Sequence, residues 1–229
     1  VRSEAPIGRA CENQRMLIVG GRLVDPAQAR AWVAEYLNGK RGQYGYPSYD
    51  GYVTNGDPHT LCDADLLAPV LLNVQVKISS FADLSACRET LEMALGKLPV
   101  DVDLADAHQS VLADVGDLFA VLDAADRPRN VLGTTLAKVL HRKRPSLVPL
   151  YDEQVRRVYQ DGATAPLPYV RGRSWTEFMT RLAGCIRDDL NRDLDFWGDL
   201  TQLRPETGPS VSRLRALDIV AWRLGSPAG

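Results

Sequence analysis

The chain has 229 residues, of which 45% are hydrophobic and 24% charged. That balance excludes a disordered, collagenous or disulfide-scaffold protein and suits one compact domain with a buried core. Its 27 basic and 29 acidic side chains leave a net charge of −2, which excludes binding to nucleic acid or to an anionic membrane through bulk charge.

The chain opens on Val1 and its first methionine is Met16. Residues 1–15 therefore read as an extension, disordered or started too early, and residues 16–229 as a single domain. Met16–Val19 is an apolar run suited to a strand. Asp25 followed by Pro26 is an N-cap with proline at the first helical position, and Gly39 closes the segment, so a helix is predicted over Pro26–Asn38. Gln43–Tyr52 then holds Tyr44, Tyr46, Tyr49 and Tyr52 among glycine and proline. Such a loop either stacks bases or sugars, or tucks its rings against the core.

Asp63 begins an apolar helix reaching Leu72, interrupted by Pro69, and Val74–Ser79 is a second strand candidate. A helix over about Ser80–Leu98 aligns Leu84, Cys87, Leu91, Leu95 and Leu98 at spacings of three and four. Ala107–Ala124 does the same with Val111, Leu112, Val115, Leu118, Phe119 and Leu122. Ser174 and Glu177 make a capping box that opens a helix over Trp175–Leu190. A last helix is predicted over about Ser212–Leu224, with Gly225 as its C-cap. The fold class is mainly α, a multi-helix bundle with little or no β-sheet.

Cys11, Cys62, Cys87 and Cys185 are far apart, so neither a zinc set nor a disulfide framework is suggested. The short step His59–Cys62 is too little for a metal site. No apolar run approaches the ~18 residues of a membrane span, and no signal-peptide core is present. No metal, no cofactor and no membrane are expected, and the expected compartment is the cytoplasm.

The most informative stretch is Arg127–Gln160. It reads as a turn at Asn130–Gly133, a helix over Thr134–His141, a basic and then apolar loop, and a helix starting at Asp152. Asn130 and Gly133 both tolerate left-handed backbone angles. Amides exposed at such a turn hold a phosphate, or simply start the helix. The sequence Pro149-x-x-Asp152-x-x-Val155-x-x-Val158 after a turn, a helix and a basic loop resembles the helix-hairpin-helix core of the base-excision DNA glycosylases.

That resemblance implies roles for particular residues. Asn130, Gly133, Thr134 and Thr135 would hold a DNA phosphate, supported by Lys138, Arg142, Lys143 and Arg144. Asp152 would be the catalytic carboxylate, stabilising positive charge on the sugar and positioning water. A flipped base would stack on Tyr151, Tyr46 or Tyr49. The chain also departs from the pattern. It has one glycine where the hairpin has Gly-x-Gly, and Gln154 where a histidine often follows. The lysine nucleophile of the bifunctional enzymes would fall at Thr134 or Thr135, so the resemblance implies a monofunctional glycosylase.

A second resemblance is to an uncharacterised actinobacterial family with the same signature. It is carried by Asp63–Leu72, Leu98–Asp106, Arg142–Asp152 and Leu214–Trp222, together spanning roughly residues 50–225. It implies kinship and fold without an activity.

Charge is unevenly placed. Ala137–Arg173 has eight basic residues against three acidic ones, a local +5 that leaves −7 for the rest of the chain. Asp101–Asp126 contains seven aspartates and no lysine or arginine. Either the protein presents one basic face to DNA, or the two segments neutralise each other within the fold. Asp101, Asp103 and Asp106 either bind a cation or form a solvated helix start. Asp152 is also a plain N-cap. The alternative to a glycosylase is therefore a non-catalytic nucleic-acid- or protein-binding module on the same scaffold.

Overall fold

A computed structural model describes residues 15–39, 45–52, 56–203, 205 and 208–227. The expected extension lies, apart from Arg15, outside the described residues, as does Tyr44. The fold is mainly α, with ten α-helices and one two-stranded sheet among the described residues. None of the described helices is long and apolar enough to cross a membrane.

Leu17–Val19 (β1) and Arg22–Val24 (β2) pair antiparallel through Gly20 and Gly21. Both glycines have positive φ, 57° and 76°, as a tight two-residue hairpin requires. A side chain on Gly21 would also stand 2.0 Å from the Thr164 carbonyl oxygen. The other strand candidate is not one. Residues 74–77 are irregular, and Ile78 already begins a helix.

Pro26–Asn38 forms α1 as predicted, with the Asp25 carboxylate accepting from the Gln28 amide at 3.0 Å. Pro69 splits the next apolar segment into α2 (Asp63–Leu67) and a 3-10 turn over Ala68–Leu72. The single helix expected over residues 80–98 is two, α3 (Ile78–Ala86) and α4 (Arg88–Leu95), divided at Cys87. Leucines 84, 91, 95 and 98 still reach one core. Next come α5 (Gln109–Asp117), α6 (Gly133–His141), α7 (Glu153–Tyr159), α8 (Trp175–Arg192), α9 (Leu194–Leu200) and α10 (Arg213–Gly225). The chain bends after Arg192 to make α9, which the periodicity of α8 does not announce.

Helices α5 and α8 lie close because Gly116 has no side chain; a Cβ there would meet Thr180 Oγ1 at 2.0 Å. Gly225 plays the same part between α10 and α7, since its Cβ would stand 2.1 Å from the Gln154 carbonyl oxygen. Helix α10 is buried on every side from Leu214 to Ala221, the pattern of a central core helix. Two charged residues, Arg215 and Asp218, sit within that buried stretch. Charges in such a place require partners, and theirs form the floor of a cleft.

Candidate active-site cleft

A cleft of about 490 Å³ is lined by Thr134 and Lys138 of α6, Asp152 at the start of α7, Tyr36 of α1, and Asp218 and Trp222 of α10, among others. Its size falls within the roughly 300–1,000 Å³ of small-molecule sites. Asp152 is the N-cap of α7. Its Oδ1 accepts from the amides of Gln154 and Val155, both at 3.1 Å, while Oδ2 stands 3.8 Å from Lys138 Nζ. One carboxylate oxygen is thus used by the helix and the other is paired with Lys138 at the cleft wall.

Lys138 is 5% exposed and donates to the Leu72 carbonyl at 3.3 Å. Burial pushes its ammonium below the usual lysine range, against the opposing charges of Asp152 and Asp218. Arg215 forms the floor. It pairs with Asp50 at 2.8 Å and with Asp218, and donates to the Tyr36 hydroxyl, which donates in turn to Asp50 Oδ2 at 2.7 Å. Against the upward push of burial, Arg215 and Tyr36 hold Asp50 below the usual carboxylate range. Two cations, Lys138 and Arg215, therefore face three carboxyl groups, Asp50, Asp152 and Asp218. Burial, with Asp152 adding its charge, pushes Asp218 up to about 6 although Arg215 and Lys138 oppose the shift. A single proton on Asp218 neutralises the cluster.

At the turn before α6, the backbone and side-chain amides of Asn130 both donate to Asp83 Oδ2 of α3, at 2.9 and 3.0 Å. An amide expected to meet phosphate therefore meets a carboxylate of the chain itself. Neither Asn130 nor Gly133 adopts a left-handed backbone. Glycine is needed at 133 because a Cβ would stand 2.2 Å from the Trp175 ring. Thr134 is half-buried on the cleft wall and Thr135 is buried.

The basic loop after α6 points inward. Lys143 pairs with Asp65 at 2.8 Å, both side chains at most 5% exposed. Arg144 is 1% exposed and donates to the carbonyls of Pro58, Leu95, Leu98 and Pro99 at 2.6–3.2 Å. Arg142 donates to the carbonyls of Tyr49 and Tyr52 and lies over both rings. These three cations fasten neighbouring loops to α6, and the local excess of positive charge does not form an outward face here. The rings expected to receive a base are likewise occupied. Tyr49 is fully buried, bonded to the Lys138 carbonyl at 2.7 Å and stacked on His141. Tyr46 donates to the Pro209 carbonyl, and Tyr151 packs edge-on against Trp175 and Phe178.

The aromatic residues on the cleft wall are instead Tyr36 and Trp222, and Arg127 and Arg129 are the exposed basic groups beside the turn. A sequence signal existed for the floor: Arg215 and Asp218, three apart in an otherwise apolar helix, mark a charge pair in the core. In the acidic segment, Asp103 caps a 3-10 turn by accepting from Ala105, and Asp123 accepts from the amides of Trp175 and Thr176 at the start of α8. Among the described residues no cluster of three or more histidine, cysteine or acidic side chains is arranged to hold a metal.

The signature of a family of unknown function (DUF6308) matches residues 29–225. No curated protein and no solved structure matches the chain.

Proposed function

The chain belongs to this family of unknown function, and we propose that its cleft is the active site of a DNA N-glycosylase of helix-hairpin-helix type, with Asp152 as the catalytic carboxylate. The observation that carries this reading is the place of Asp152 at the wall of a cleft about 490 Å³ in volume, with Oδ2 paired to Lys138 rather than bonded to the helix. Breaking an N-glycosidic bond leaves positive charge on the sugar. A fixed carboxylate beside that charge stabilises it most where water is scarce. Trp222 offers an apolar wall to a base turned out of the stack, and Arg127 and Arg129 offer phosphate contacts beside the turn.

The inward turn of Lys143 and Arg144 favours the second reading, a binding module without chemistry. Asp152→Asn separates the two. Against a panel of modified duplexes, the wild type should release a base and the variant should do so about 10²–10³-fold more slowly, with similar affinity for DNA. Equal release by both proteins would remove Asp152 from the chemistry. If neither protein releases any base but both retain DNA in a mobility shift that weakens steeply with salt, the binding module is the better reading.

A further inference from the structure

A second cavity, about 460 Å³ in volume, lies where α6 ends and α10 begins, and neither Asp152 nor Lys138 is on its wall. Three charged side chains line it, Asp50, Arg142 and Arg215. Asp50 and Arg215 pair at 2.8 Å and neutralise each other, while Asp218, the other carboxyl on Arg215, lines the cleft instead. Arg142 donates to the carbonyls of Tyr49 and Tyr52 and lies over their rings. It has no carboxylate partner among the described residues, and its Nε is buried without a hydrogen bond. One positive charge on this wall is thus left without a counter-ion.

His141 is only 2% exposed and lines the same cavity. Its Nδ1–H is taken by the Val148 carbonyl at 2.7 Å, so Nε2 is a bare acceptor, with no partner among the described residues. A buried acceptor of this kind requires a donor. The Ser212 hydroxyl is spent, donating to the Pro145 carbonyl at 2.9 Å and accepting from the Arg215 amide at 3.1 Å. The Ser146 hydroxyl, also on the wall, has no bond among the described residues and is a donor in reserve. The cavity therefore presents a cation and a hydroxyl donor to an anion, and an acceptor to a hydroxyl.

From this arrangement we infer that the second cavity binds a small hydroxylated monocarboxylate of the sugar-acid class, its carboxylate at Arg142 and Ser146 and one hydroxyl donating to His141 Nε2. A carboxylate carries the single charge that the wall lacks, whereas a phosphate monoester carries nearly two at neutral pH. A DNA phosphodiester has one charge, but its backbone offers only acceptors and leaves Nε2 unmet. The volume lies within the range of small-molecule sites and exceeds what a bare ion fills. The inference does not rest on the glycosylase reading.

Calorimetric titration of the whole chain with D-glucuronate, D-glucose, acetate and inorganic phosphate gives the test. Glucuronate should bind, and the other three should bind about tenfold or more weakly, since glucose lacks the charge, acetate the hydroxyls, and phosphate the match to a single cation. Ser146→Ala, which removes only a hydroxyl, should weaken glucuronate about tenfold, and Arg142→Gln should weaken it further. Asp152→Asn, in the cleft, should leave its affinity unchanged. Glucose or phosphate binding as tightly as glucuronate overturns the inference from the wild type alone, whatever the stability of Arg142→Gln. So does the absence of any heat with glucuronate at millimolar concentration. Binding that survives Ser146→Ala but fails in Asp152→Asn moves the ligand to the cleft and overturns it as well. A single-stranded deoxyoligonucleotide that displaces glucuronate in competition would replace the small molecule with DNA.

Discussion

Two buried basic regions lie within one turn and a loop of each other, and they use their charge differently. In the Arg142–Arg144 loop every guanidinium and ammonium is directed at carbonyls or a carboxylate fixed by neighbouring segments. In the cleft, Lys138 has looser partners and borders empty volume. A buried charge held by short bonds to fixed neighbouring segments ties the fold together; one held by longer contacts beside a cavity contributes less to it. The most basic stretch of the sequence, expected to meet DNA, belongs to the first kind.

The largest effect should come from breaking the first region. Lys143→Met takes the ammonium from Asp65, whose side chain is 0% exposed. Removing one partner of a buried pair costs about 3–5 kcal/mol. Urea denaturation should show a loss of unfolding free energy of that size, and a loss below 1 kcal/mol would mean the pair contributes little and the two regions are alike.

How much of this was legible depends on what each residue's signal reports. Pro26–Asn38, the capping box at Ser174 and the N-cap role of Asp152 were readable because caps and periodicity are local. The division at Cys87 and helix α9 were not, since both depend on how the chain turns over a core assembled from distant segments. The Gly20-Gly21 turn was readable from its dipeptide and went unused. For the site, sequence located Asp152 and Lys138 but could not tell that Lys138 lines a cleft while Lys143 does not. Both are lysines in one basic stretch, and their partners, Asp65 and Leu72, lie more than sixty residues away. Asp50, Arg215 and Asp218 meet only through tertiary packing, which hid the floor of the cleft.

A middle-sized effect comes from the boundary between the regions, where His141 ends α6. Burial pushes its imidazole down to about 4, and Nδ1 lies 2.7 Å from the Val148 carbonyl, so the ring is neutral and Nδ1–H donates. The unfolded chain takes up a proton near 6.5 and the folded one does not. Stability from this group is therefore full above pH 6.5 and lost as pH falls through about 4, by about 3 kcal/mol. Asp218 runs the other way: raised from 3.8 to about 6, it favours the fold below pH 3.8 and loses that contribution as pH rises through about 6. Urea midpoints between pH 4 and 7 should thus vary little in the wild type. They should fall with rising pH in His141→Gln and rise with pH in Asp218→Asn. Parallel curves for all three proteins would show that the fold shifts the ionisation of neither group.

The smallest effect on stability should come from the cleft, and that smallness is informative. Lys138→Met keeps the length and most of the volume of the side chain while removing a charge that burial already disfavours. Asp152 keeps its two amide bonds and is 17% exposed at the side chain, so its free oxygen can be hydrated from the cleft. The net change should lie within about 1 kcal/mol in either direction. Comparing this variant with Lys143→Met applies one substitution to two lysines five positions apart. If both lose 3 kcal/mol or more, Lys138 is as structural as Lys143, and the cleft has no special claim on it. If only Lys143→Met is costly, folding does not account for a lysine at 138, and its place on the cleft wall is left to explain it.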